Sequence, residues 1–191
     1  MLLSPAAMTA TPRAAKSASA ASPPYQAAAV VAGVVALAVA SRLAIPPFFV
    51  LGGPVPITLQ TYALFVVAGV FGGRLALMAV LAWLALAALG APVLADGAGG
   101  WRAVVGHTMG FLAGMAAAAW VCGQGAAKTR GWAPLTALFL AGHAIVLAVG
   151  WAGLASFMDP GPAFTYGILP FLPGAVAKSL AAAVTVAAVK R

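Results

Sequence analysis

The stretch GGPVPITLQTYALFVVAGVFGGRLA, residues 52–76, decides how this chain is read. A run of glycine and proline opens into an apolar segment whose mouth carries Thr58, Gln60, Thr61 and Tyr62. Hydrocarbon cannot satisfy a hydroxyl or an amide, so a segment built only to cross lipid has no reason to begin this way. At the far end, GGR at 72–74 joins two helix-weakening glycines to a charge that prefers a headgroup layer. This pattern predicts a tight hairpin, with one span ending at 72 and the next starting at 75.

Composition sets the solvent. Of 191 residues, 64% are hydrophobic and only 6% charged, with a mean hydropathy of +1.07. A soluble domain carries about a quarter charged residues, and no core of this size hides so much apolar surface. The chain is therefore an all-α integral membrane protein. Asp96 and Asp159 are the only acids, against ten Lys and Arg. In a soluble protein the resulting net charge of +8 would point to nucleic acid. Here it reports topology and contact with the anionic headgroups of the lipid bilayer, and no nucleic-acid partner is expected. The single cysteine, Cys122, forms no intrachain disulfide and reads as a small packing residue.

Six apolar segments cover 26–45, 57–72, 75–91, 104–125, 133–157 and 166–189. Most approach the ~20 residues a helix needs to cross a ~30 Å hydrocarbon core. Six transmembrane helices place both termini on one side, together with Arg13, Lys16, Arg74, Lys128, Arg130, Lys190 and Arg191. The other side receives Arg102, Arg42 and both acids. By the positive-inside rule the termini are cytoplasmic. Residues 1–25 are rich in Ala, Ser, Thr and Pro and lack the apolar centre of ~7 residues that a signal peptide requires. They read as a disordered cytoplasmic tail, leaving 26–191 as the membrane-embedded binding domain. The outward loops, 46–56, 92–103 and 158–165, are dense in Gly and Pro. Irregular backbone at membrane depth is tolerated where it lines a cavity, so a pocket near the extracellular side is expected beneath them.

Several residues do not suit a plain spanning helix. Lys178 lies twelve residues before the basic end of the last span, a rise of ~18 Å, too deep to snorkel to that surface. Such a charge needs a cavity or a partner, and snorkelling toward the other face is the competing reading. Gln60 is either a substrate contact or glue between helices, and Thr58 either a contact or a helix cap. The loop DGAGGWR, 96–102, offers Asp96, Arg102 and the backbone of Gly97, Gly99 and Gly100 for close approach by a ligand. His107 and His143 stand alone, without metal-ligand spacing, and read as internal hydrogen-bonding residues, so no metal is expected. Asp159 reads as a turn former and Arg42 as a snorkelling residue. Ala36, Ala40 and Ala44 recur at four-residue spacing and would let another helix approach closely. The chain has neither a GxxxxGK[ST] phosphate loop nor the paired Ser/His or His/Glu motifs of intramembrane hydrolases, which argues for a binder or carrier rather than an enzyme.

The segment IPPFFVLGGPVPITLQTYALFVVAGVFGGRLALMAVLAWLALAALGAPVLADGAGG and the C-terminal GILPFLPGAVAKSLAAA resemble the BioY family. Its members are the biotin-specific substrate-binding (S) components of energy-coupling factor (ECF) transporters. The family pattern runs roughly P-V-P-[FI]-T-L-Q-T, a G-x-R turn, G-x-P-V-[FL]-A-x-G-x-G-G, and L-P-F-[IL]-P-G-D-x-x-K. The resemblance covers residues 30–189. It departs from the pattern at Ala175, where the family has an acid, at Asp96, where the family is small or neutral, and at His107 and Met109 in VGHTMGF.

The resemblance implies a six-helix fold in the bacterial cytoplasmic membrane, with biotin as substrate and no cofactor. It also implies a transmembrane coupling (T) protein and two ABC-type ATPases as partners, the ATPases doing any ATP hydrolysis. The Ala36/Ala40/Ala44 face resembles the surface by which S components dock on the coupling protein. Some family members work without dedicated partners as oligomers, so homo-oligomerisation is the alternative assembly. Biotin offers a neutral ureido ring, an apolar thiophane and a carboxylate. Thr58, Gln60, Tyr62, Trp83, Asp96, Tyr166 and Lys178 can supply a matching set of donors, acceptors and walls. The rival readings are an S component for thiamine or riboflavin and a solitary secondary transporter. Lys178 disfavours a cationic ligand such as thiamine, and the lack of an acid within a span disfavours proton coupling.

Overall fold

The structure, a computed structural model, describes residues 22–45 and 55–191. Residues 1–21 of the expected tail and 46–54 of the first expected loop lie outside the described residues. Helix α1, Pro23–Arg42, begins three residues ahead of the expected Gln26, with proline in its first turn, where a missing N–H breaks no helical bond. After it, β1 (Ala44–Ile45) pairs antiparallel with β2 (Ile57–Thr58), Ala44 opposite Thr58.

Helices α2, Gln60–Phe71, and α3, Gly73–Ala88, meet at Gly72, whose φ of 84° lies in the left-handed region open to glycine. A Cβ added at Gly33 of α1 would sit 2.7 Å from Ala79 Cβ and 3.2 Å from Val67. Val67 precedes the turn and Ala79 follows it, so α2 and α3 fold back as a hairpin that lies along α1. This is the hairpin expected at 72–74. Its arms are short: the 12 residues of α2 rise about 18 Å, less than a hydrocarbon core.

Beyond a 3-10 turn at Ala95–Gly97 come the short α4 (Trp101–Val104), α5 (Met109–Lys128), α6 (Trp132–Leu154) and α7 (Pro160–Gly167). A second 3-10 turn at Leu169–Phe171 leads into α8, Leu172–Val189. Among the described residues four regions are long and apolar enough to cross a membrane: α1, α5, α6 and the stretch Pro160–Val189. Further boundaries differ from expectation, among them the start of the last span, where α7 ends at Gly167 and α8 begins only at Leu172. The segment 158–165, expected as a loop, holds most of α7, because Pro160 pre-sets a helical φ at the first position and Trp151 Nε1 donates to its carbonyl at 3.1 Å. The fourth span starts at Met109 rather than 104, since α4 ends at Val104 and a turn intervenes.

Lipid gives no hydrophobic drive between helices, so association depends on close packing at small residues. A Cβ at Gly110 would meet the backbone of α6 at Gly153 and Gly150, and Gly123 of α5 sits against the backbone of Gly73. Phe65 and Phe139 stack with centroids 5.0 Å apart across α2 and α6. The small residues expected as a docking face lie partly within this packing. Ala40 is buried, and Ala36 and Ala44 are half-buried. Gly33 and Ala40 pack inside the bundle, Ala36 and Ala44 keep part of their surface open, and Val31, Val35 and Val39 form the exposed face of α1.

Candidate ligand-binding site

A cavity of about 300 Å³ lies between the start of α2, the first turns of α5, the C-terminal half of α6 and the first turns of α8. Its walls are apolar, from Phe111, Leu112 and Met115 of α5, Val146 and Leu147 of α6, and Phe171. Polar groups converge on it from Thr58, Gln60, Asp96, His143 and Lys178. Apolar walls with a few placed polar groups are the ordinary make-up of a small-ligand site.

Lys178 reaches this cavity from α8, and its Nζ donates to the Thr58 carbonyl at 3.1 Å. It therefore does not snorkel to a surface. An ammonium has three donors, so two remain for a ligand. Among the described residues no carboxylate pairs with it.

Gln60 joins two helices and also stands on the cavity lining. Its Nε2 donates to Ser41 Oγ at 2.8 Å, and the buried Ser41 hydroxyl donates to the Leu37 carbonyl at 2.7 Å, tying α2 to α1. The same side chain lines the cavity. Thr58, one residue ahead of the N-cap position Leu59, accepts the Gln60 backbone N–H on its Oγ1 at 3.3 Å and also faces the cavity.

His143 is buried in the middle of α6 and joins three helices. Its Nε2 lies 2.9 Å from Thr61 Oγ1 on α2, and its Nδ1 lies 2.9 Å from Ser179 Oγ on α8. Phe65 meets the ring edge-on at 4.8 Å. The expected internal hydrogen-bonding role holds, with a place on the cavity lining added.

Asp96 lines the cavity from an exposed loop and is the only described non-glycine residue with positive φ, 53°. Its loop is pinned by Leu94 N–H to the Ala98 carbonyl at 3.1 Å and by Gly100 N–H to the Ala87 carbonyl at 2.7 Å. Trp83 is fully buried and does not line the cavity; its Nε1 donates to the Val93 carbonyl at 3.0 Å, holding the loop from behind. Gly97, Gly99 and Gly100 also lie off the lining. They shape the loop instead: a side chain at Gly97 would run into the Arg42 guanidinium, one at Gly99 into the Ala91 carbonyl, and Gly100 has φ 91°.

The remaining expected contacts sit elsewhere. Tyr62 OH pairs with Thr185 Oγ1 at 3.1 Å and bridges α2 to α8. Arg102 is exposed on α4 and Tyr166 half-buried on α7, neither on the lining. The apolar walls were not foreseen, because in a chain this hydrophobic Phe111, Met115 and Leu147 look like every other lipid- or core-facing residue.

Fold and cavity together define a class: a small helical membrane protein with a ligand-sized chamber between its helices. Residues 12–191 match the BioY family, and the chain belongs to it. The probable biotin transporter BioY of Pyrococcus horikoshii is 34% identical over 132 residues, spanning 69% of this chain and 78% of that one. The biotin transporter BioY of Thermotoga maritima is 37% identical over 121 residues, 63% of this chain and 72% of its own. Among solved structures, the S-component for biotin from an ECF-type ABC transporter superposes with a TM-score of 0.74 at 25% identity, over 90% of this chain and 95% of that one.

Proposed function

We propose that this protein binds biotin and carries it across the cytoplasmic membrane as the S component of an ECF importer. The observation that carries the reading is the cavity itself. A chamber of about 300 Å³ with apolar walls suits the thiophane and valerate chain, and the free donors of Lys178 with the groups of Gln60, Thr58 and Asp96 suit the polar ends. Asp96 supplies a carboxylate to the cavity, in a chain that has Ala175 where the BioY pattern carries an acid.

In this reading the chain has six membrane segments, with α2 and α3 as its short pair, both termini cytoplasmic, and the cavity opening outward. The charge distribution supports this: Arg74, Lys128, Arg130, Lys190 and Arg191 lie at the helix ends remote from the cavity, while Asp96 lies at its mouth. Transport then requires a T protein and two ATPases that hydrolyse ATP, or self-association where those partners are missing. The test is equilibrium binding by the detergent-purified chain to biotin, thiamine and riboflavin. Saturable binding of biotin alone is expected, and preference for another vitamin overturns the substrate assignment.

A further inference from the structure

A second cavity, about 440 Å³, opens at the other end of the bundle. It lies where α5 ends, α6 begins and α8 ends, three helices whose opposite halves line the first cavity. Its lining brings together Arg130, Lys190 and Arg191, and no acid is among the lining residues. Trp132 stands at its rim, 55% exposed, the exposed Ala127 and half-buried Ala187 add apolar wall, and the fully buried Leu135 closes the floor. Lys190 Nζ donates to the Ala126 carbonyl, an α5 terminal group, at 2.7 Å. Desolvation there pulls its ammonium below the ordinary lysine range, which a bound anion would reverse.

We propose that this cavity seats the phosphodiester headgroup of an anionic phospholipid, with its acyl chains continuing along the apolar wall. Three facts select a lipid over other anions. The cations stand where apolar spans end, which is the depth of the headgroup layer. An exposed tryptophan at that depth presents an apolar body and an N–H donor, as aromatic residues do at membrane interfaces. The site also passes directly from cationic rim to apolar wall, a sequence a lipid shares and a free phosphate does not. Basic pockets between helices are a recurrent form of lipid recognition. Three cationic side chains facing one cavity attract an anion more strongly than any one of them alone.

The test uses delipidated full-length protein in a neutral detergent, titrated with phosphatidylglycerol, phosphatidylcholine or inorganic phosphate. Thermal unfolding and native mass spectrometry are the readouts. Phosphatidylglycerol should raise the melting temperature and remain bound, whereas phosphatidylcholine and phosphate should do neither. Replacing Arg130, Lys190 and Arg191 together with Gln should weaken phosphatidylglycerol binding roughly a hundredfold, from the typical attraction per juxtamembrane cation. Arg130→Gln alone, at an exposed position away from the Lys190 contact, should weaken it about fivefold. Biotin binding, at the other end, should not change. Equal stabilisation by phosphatidylcholine, full stabilisation by inorganic phosphate, or unaltered lipid binding in Arg130→Gln would each overturn the proposal.

Discussion

Replacing Lys178 with Met separates a ligand contact from a structural one. The substitution keeps the apolar stem and removes an ammonium whose one bond within the described protein is the 3.1 Å donation to the Thr58 carbonyl. Without ligand, one modest hydrogen bond disappears, and so does a charge held inside a membrane bundle. Exchanging a buried charge for a well-packed apolar group is often neutral or stabilising, so the melting temperature of the ligand-free protein should hold or rise. With ligand, a charge-assisted hydrogen bond worth about 1.5–3 kcal/mol is lost. At about 1.4 kcal/mol per decade, Kd for biotin should rise by roughly 10- to 150-fold. Equilibrium binding of labelled biotin in detergent, beside a thermal melt of the same preparation, reads both quantities. Unchanged affinity in a folded variant removes Lys178 from the site. A fall in ligand-free stability that matches the affinity loss makes Lys178 a strut for β2 instead. Repeating the comparison with biotinamide tells which end of the ligand the ammonium meets, since a carboxylate contact makes wild type, and not Lys178→Met, discriminate against the amide.

Asp96→Gly should leave the melting temperature nearly unchanged. The relief of left-handed strain, about 1 kcal/mol, is offset by a similar gain in unfolded-chain freedom. Biotin affinity should nevertheless fall about tenfold, and retained affinity would deny Asp96 a ligand role. His143→Phe preserves a ring against Phe65 but strips partners from Thr61 and Ser179. Their hydroxyls can partly recover by bonding backbone carbonyls one turn back, so the loss should be about 2 kcal/mol on denaturation in mixed micelles. A change below about 0.5 kcal/mol would show that His143 does not hold the three helices together.

Much of the molecule was legible before any coordinates. An apolar chain with two acids admits only a lipid solvent. The hairpin at 72–74 announces itself because Gly72 must adopt a φ that few other residues accept. Lys178, Gln60 and Thr58 stood out because polar groups are costly in hydrocarbon, Asp96 as part of a glycine-rich outward loop, and all four line one cavity. The expected residues that lie off the lining share a feature. Trp83, Tyr62 and the loop glycines have the chemistry of a site, yet each has an internal partner that sequence spacing cannot reveal. The Ala36/Ala40/Ala44 face is ambiguous for the complementary reason, since small residues permit close approach without naming the helix that approaches.

The one-dimensional chain thus determined its solvent, its hairpin and its costly polar positions, all of which follow from the local free energy of putting a given group in lipid. Only the folded bundle decided which of those positions share a chamber, that His143 ties three helices beneath it, and that Arg130, Lys190 and Arg191 converge at the other end. These are relations between residues dozens of positions apart. They arise from how helices of similar composition interlock, and that interlocking rests on shape, which hydropathy does not encode.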